Sequence, residues 1–346
     1  MPKSLRLFGL CLVIAFAGLV SCNGGSDEAV DEPAGPVVDD PDPSPPASQR
    51  PTFNRTRAFA DLEAQCDFGA RVPGSQAHAN CLQWLAAQLQ QTAETIITQE
   101  FSAETPFGGP YDFTNIIAYY PGDASQPVLL GAHWDCRPEA DQDPDPALRT
   151  EPVMGANDGA SGVAVLLELA RNIHDNQNRP PVLIALFDAE DSGSYQNTSF
   201  PLNGWALGSQ YLVQNWPEEL PEPAEAIVVD LVGQDTEHNE RLGTPGGSND
   251  YPDFQIERHS LDSAPLLVDA LWTIAENAGH DAFKRTTRGP VTDDHLPFIQ
   301  AGYPAVDIID LPVPEWHTAD DTPEHCSPDP LFQVGDTLLR YLYNDD

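Results

Sequence analysis

The sequence predicts a single α/β domain with a mixed, mostly parallel central sheet and helices on both faces. Short apolar runs of strand length alternate with longer stretches of helical period, the pattern of βαβ units. Several strand-like runs are apolar at every position, as in Val128-Leu129-Leu130 and Ile227-Val228-Val229, which suits strands covered on both faces. The helical stretches are also long enough to cross from one parallel strand to the next. In chain order the pattern gives a helix over 75–91 and strands over 95–101, 115–120 and 127–133. A helix over 161–173 follows, with Val165, Leu166, Leu169 and Ile173 at helical spacing. Then come a strand over 182–187, a helix over 207–215, a strand over 226–232, a helix over 264–279, a strand over 305–309 and a helix over 330–343. No internal repeat interrupts the series.

Residues 1–22 read as an export leader, with Lys3 and Arg6 ahead of an apolar run from Leu7 to Val20. Leu19-Val20-Ser21-Cys22 matches a bacterial lipobox, so Cys22 is expected to carry lipid and tether the chain to the cell envelope. Residues 23–54 form an acidic, proline-rich spacer, leaving 55–346 as the folded domain. The 54 acidic residues against 16 Lys and Arg give a net charge of −38, which disfavours nucleic acid as a partner. Export implies an oxidising compartment. Cys66, Cys81, Cys136 and Cys326 are therefore expected to pair, with Cys66–Cys81 and Cys136–Cys326 the favoured connectivity.

In parallel sheets, ligands bind beyond the carboxyl ends of the strands. His133 and Asp135 close the strand 127–133, and Asp188-Ala189-Glu190-Asp191 follows 182–187. Asp230 follows Val229, Asp158 lies in the turn Gly155-Ala156-Asn157-Asp158-Gly159 before a helix, and Trp316-His317 comes after 305–309. One such Asp is ordinarily a helix cap. Five junctions delivering carboxylates and imidazoles to one edge point instead to a bound cation, since crowded carboxylates otherwise repel and stay partly protonated. Zn²⁺ takes this mixture of ligands. The alternating Asp141, Asp143 and Asp145 suit either Ca²⁺ or a solvated loop. Trp134 and Trp272 read as core; His78, His238, His259, His280 and His325 read as surface or capping residues, and Glu257 and Asp262 flank a candidate mobile loop.

These segments resemble the M28 zinc metallopeptidase family over most of residues 65–345. Asp293-Asp294-His295-Leu296-Pro297-Phe298 and Glu315-Trp316-His317-Thr318-Ala319-Asp320-Asp321 are similar to its glutaminyl cyclase branch, as are Phe68–Ser75 and Trp205–Ser209. The resemblance implies a zinc aminopeptidase/glutaminyl cyclase-like fold with one zinc on Asp158, Asp191 and His317. It implies Glu190 as proton shuttle, Asp230 and Asp293 as an acidic relay, and Trp205 and Trp316 flanking the substrate. In the aminopeptidase branch a second zinc would use His133 and Asp230, with Asp158 bridging and Asp135 orienting His133; both residues are present. Asp191 stands where the family often has Glu, and Asp307 where animal cyclases can carry His. The expected activity is a monomeric glutaminyl-peptide cyclotransferase acting on peptides with N-terminal Gln. Aminopeptidase action is the alternative, and a non-catalytic surface-binding lipoprotein is the reading from another class.

Overall fold

The computed structural model describes residues 50–124, 126–174, 176, 179–235 and 252–344. The expected leader, Cys22, nearly all of the spacer, and His238 lie outside the described residues. No helix among the described residues is long and apolar enough to cross a membrane.

The chain runs α1 (Arg55–Cys66), α2 (Gln76–Gln90), β1 (Thr95–Thr105), β2 (Gly108–Tyr120), β3 (Val128–His133), α3 (Ala160–His174), β4 (Val182–Phe187) and α4 (Leu207–Gln214). It continues through β5 (Glu225–Asp230), β6 (Phe254–Ile256), α5 (Arg258–Ser263), α6 (Pro265–Ala278), β7 (Phe283–Thr287), α7 (His295–Ala301), β8 (Ala305–Ile309) and α8 (Pro328–Leu342). Six strands form the central sheet in the order β1-β2-β4-β3-β5-β8. The pairs β4–β3, β3–β5 and β5–β8 are parallel, while β1–β2 and β2–β4 are antiparallel. The mixed, mainly parallel sheet expected from sequence is the one observed.

Alternation along each strand assigns the two faces. Leu130, Ile184, Ile227 and Val229 enter the larger core with Leu62, Leu85, Leu166, Leu271 and Leu338 from α1, α2, α3, α6 and α8. Leu129, Leu183, Phe187 and Val228 point to the other side, against Leu212 of α4 and Phe298 of α7. A strand buried on both faces needs apolar residues at every position, which is why β3, β4 and β5 were legible as continuous runs.

Several elements depart from the expected boundaries. β1 and β2 extend into a longer hairpin whose outer halves alternate half-buried and exposed positions, so no apolar run marks them. α1 lacks a long apolar face and is held by its Asn54 cap and a buried side formed by Ala58, Asp61, Leu62, Gln65 and Cys66. The strand expected over 226–232 stops at Asp230, because Leu231 adopts a left-handed φ of 52°. α7 tolerates Pro297 because it falls in the first turn, where no amide is owed to the helix.

The expected disulfides are not formed: Cys66, Cys81, Cys136 and Cys326 are free and buried. Cys66, Cys81 and Cys326 pack as small apolar groups in the larger core, and the Cys136 sulfur accepts from the Arg71 amide at 3.1 Å and donates to the Met154 carbonyl at 3.2 Å. Burial pushes the Cys66 thiol up to about 11 and the Cys81 thiol up to about 12, which keeps both protonated and poorly nucleophilic.

Packing against the helices is close enough to test at one residue. A Cβ on Gly335 of α8 would lie 2.1 Å from the buried Phe53 ring. Helix propensity alone would favour Gly335→Ala by about 1 kcal/mol. Overpacking of this kind costs about 1–3 kcal/mol. Urea denaturation of Gly335→Ala is expected to show net destabilisation, and a midpoint above that of the parent would refute this packing.

Candidate metal centre and catalytic pocket

The carboxyl ends of β3, β4, β5 and β8 lie along one edge of the sheet, and the residues singled out from sequence converge there. His133 ends β3, Glu190 and Asp191 follow β4, Asp230 ends β5, and His317 lies in the loop after β8. Asp158 immediately precedes α3. Left-handed backbone occurs at Ala189, Leu231 and His317, beside or within three of these junctions. Such strain is retained where it aims a functional side chain.

Two groups form around Asp158. In the first, His133 Nε2 lies 3.0 Å from Asp158 Oδ1 and 3.2 Å from Asp230 Oδ1. In the second, His317 Nε2 lies 3.2 Å from Asp191 Oδ1 and 3.8 Å from Asp158 Oδ2. Within each group the ligand-type atoms lie within 4.8 Å of one another, and every member is buried. Asp191 Oδ2 is enclosed without a hydrogen-bond partner, as a ligand atom awaiting a cation would be. One imidazole and two carboxylates per group fit Zn²⁺, with a coordination position left over.

The supporting contacts explain why these side chains meet. Asp135 Oδ1 accepts from the Glu190 amide at 3.0 Å and lies 3.3 Å from His133 Nδ1, and Asp135 Oδ2 accepts from the Asp191 amide at 3.3 Å. One carboxylate thus fixes the ends of two neighbouring strands. Asp321 accepts from the amides of Asn157 and Asp158 at 2.7 and 3.1 Å. The fully buried Arg71 guanidinium donates to the carbonyls of Trp134, Met154 and Gly155, stitching the end of β3 to the Asp158 loop. Gly159 (φ 107°) allows that loop to approach: a Cβ there would sit 2.6 Å from the His133 carbonyl and 2.7 Å from its ring.

The pocket above these groups is walled by Tyr195, Trp205, Val291, Leu311 and Trp316, with Glu190 and Asp293 reaching in. Trp316 stacks on His317 at 3.7 Å between centroids, and Trp205 lies over the same ring at 5.7 Å. Burial, and next the Asp293 carboxyl, raise Glu190 well above the usual carboxylate range. Burial followed by the neighbouring Asp191 and Asp230 pushes Asp158 up to about 6, and burial with Asp230 does the same to Asp293. Burial would raise Asp191 too, but His317 and Arg137 beside it hold it below its ordinary value. Of these four carboxyls, Asp191 is thus lowered while Glu190, Asp158 and Asp293 are raised.

Behind the pocket, Asp293, His295 and Asp307 form a third group. Glu257, placed by sequence beside a mobile loop, is instead buried, caps α5, and lies 3.3 Å from His295 Nε2. Four hydrogen bonds and the His295 ring keep it ionised, at about 2 despite burial. Asp307, 3.7 Å from His295 Nδ1, is raised well above its usual value by burial and then by Asp293. Asp307 and Glu257 thus face the same His295 ring with proton affinities shifted in opposite directions.

Other expectations are corrected. His78 is neither a surface nor merely a capping residue: it is buried, 2.9 Å from Asp188, and stacked on Trp134 at 4.3 Å. His280 is likewise buried and paired with Asp336 at 2.9 Å. The Asp141–Asp145 segment is largely exposed, in keeping with a solvated loop, and its carboxylates are also engaged by the protein. Asp143 accepts from the amides of Asp145 and Ala319, Asp145 from that of Ala147, and Asp141 from Arg137. Sequence reasoning also passed over Arg137, Asp141 and Asp321 as parts of the site. Arg137 had one signal, being a cation two residues beyond Asp135 in a chain this acidic.

Residues 115–342 match the model of peptidase family M28. Among curated proteins, the chain is 26% identical to the glutaminyl-peptide cyclotransferase-like protein of Bos taurus, covering 79% of this chain and 71% of that one. The structure of Tannerella forsythia glutaminyl cyclase is 34% identical with a TM-score of 0.77, covering 86% of this chain and 100% of that one. A leucine aminopeptidase precursor from Bacteroides thetaiotaomicron is 32% identical with a TM-score of 0.78, covering 87% of this chain and 100% of that one. With the family model spanning this sheet edge and its ligand-bearing loops, the chain belongs to peptidase family M28.

Proposed function

We propose that the protein is a zinc-dependent glutaminyl-peptide cyclotransferase, converting the N-terminal glutamine of peptides to pyroglutamate with release of ammonia. The observation that carries this reading is Glu190, a buried acid raised by burial and by Asp293, at the floor of a narrow aromatic pocket. Cyclisation needs one group that takes a proton from an amine and returns it to departing ammonia, and an acid whose pKa is raised toward neutrality serves both steps.

Asp158, Asp191 and His317 would hold the zinc, which when bound would supply Lewis-acid polarisation of the γ-carbonyl. Trp205 and Trp316, on the walls of the pocket, flank the glutamine side chain between the metal side and Glu190. Glu190 accepts a proton from the α-amine as its nitrogen attacks the carbonyl carbon of the γ-carboxamide, then delivers it to that amide's nitrogen as the carbon–nitrogen bond breaks. The like charge of Asp293 favours the protonated form of Glu190, and Asp230 and Asp293 form the acidic relay behind it. Both reacting groups belong to one residue, so holding that residue in a closed conformation removes much of the barrier.

Aminopeptidase action is the second reading, and the complete His133–Asp158–Asp230 group favours it, because a second ion there would give a paired-metal site. Ammonia and free amino acid, assayed separately on a Gln-initiated peptide and on an amino-acid amide, distinguish the two. Ammonia with a ring-closed product is expected; free amino acid alone would reverse the order.

Glu190→Gln is expected to lower kcat by about 10²–10⁴-fold with zinc content unchanged, and turnover near the parent's would remove Glu190 from the reaction. Zinc affinity is expected to fall as pH drops. Asp158 binds metal only when ionised, and at about 6 its proton competes increasingly below that value. A chelator competition from about pH 7.5 to about pH 5.5 should show about a 4-fold loss from Asp158 alone, which passes from almost fully to about one-quarter ionised over that range. A flat profile would exclude Asp158 as a ligand. The leader and lipobox support export and anchoring through Cys22 to the envelope. Cys22→Ser should move the protein from the membrane fraction to the soluble one, and membrane retention of that variant would overturn the anchor.

A further inference from the structure

Arg137 is the cation that touches the metal-ligand set directly. Its side chain is only 1% exposed, and its guanidinium reaches two arms of the site at once. Nη1 donates to Asp191 Oδ1 at 3.1 Å and to the carbonyls of Asp191 and Gly193 at 3.4 and 3.2 Å. Nε and Nη2 grip both oxygens of Asp141 at 2.7 and 2.9 Å. Asp141 Oδ1 in turn lies 3.4 Å from His317 Nδ1, on the far side of the ring from Nε2. Trp205 and Phe107 cover the guanidinium at 4.9 and 5.3 Å.

The two oxygens of Asp191 are consequently unequal. Oδ1 is engaged by Arg137 and by His317, whereas Oδ2 is buried with no partner. We propose that Arg137 is the positioning residue that presents Asp191 to the zinc through Oδ2 alone and, through Asp141, fixes the ring of His317. The inference rests on the reading of Asp158, Asp191 and His317 as the zinc site. It also accounts for a short Asp where the family often has Glu. A guanidinium fork holding one oxygen sets the carboxylate's tilt, and a longer arm would bring that same oxygen past the fork. Charge acts in the same direction, since the arginine offsets part of the repulsion among Asp141, Asp158 and Asp191 before any ion arrives.

The test compares Arg137→Met, Arg137→Lys and Asp191→Ala with the parent, as zinc affinity by chelator competition and as the visible spectrum of the Co²⁺-loaded proteins. Arg137→Met should weaken zinc by about 10–100-fold, the usual effect of losing a group that orients a ligand. Its cobalt bands should weaken and shift as Asp191 becomes free to bind through both oxygens, and the metal-free melting temperature is the control for folding. Arg137→Lys, which keeps the charge without the fork, should recover part of the affinity but not the parent spectrum. Parent-like affinity and spectrum in Arg137→Met, or in Arg137→Lys should the first variant not fold, would overturn the proposal. Undiminished zinc binding in Asp191→Ala would instead overturn the zinc site on which it rests.

Discussion

Mutual repulsion among carboxylates withdrawn from water is the constraint that organises this molecule. Asp135, Asp158, Asp191, Glu190, Asp230 and Asp293 crowd one edge of the sheet, all buried. Each would cost several kcal/mol to hold ionised and alone in such surroundings. The structure answers with specific neighbours. Asp135 is met by amides and His133, Asp191 by Arg137 and His317, and Asp158 and Asp230 by His133, while burial and like charges raise the proton affinity of Glu190 and Asp293.

Parallel strands make that crowding achievable. Their carboxyl ends lie side by side, so one residue from each reaches the same place without any loop having to span the domain. Backbone does much of the remaining work. The amides of Asn157 and Asp158 point at Asp321, and those of Glu190 and Asp191 at Asp135. Arg71 gathers three carbonyls around one buried charge. A rigid frame of this kind permits left-handed conformations at Ala189 and His317 that an exposed loop would relax.

The free cysteines fit the same picture. A domain of about 290 residues buries enough apolar surface to do without crosslinks. The thiols occupy core volume, and in Cys136 a hydrogen-bonding place, that a bridge would disturb. Compartment predicted pairing from outside the fold; packing settled it from within.

The sequence by itself determined the sheet-forming strands, because β3, β4 and β5 are apolar on both faces and leave an unambiguous run. It also determined which junctions carry Asp158, Glu190, Asp191, Asp230 and His317, since strand ends are legible once strands are. Tertiary structure alone decided how these groups are charged and what holds them. Arg137 meets Asp191 from 54 positions away, Asp321 meets Asp158 from 163, and Glu257 meets His295 across a chain reversal. Proton affinity depends on burial and on neighbours within a few ångströms, and neither quantity is local in sequence.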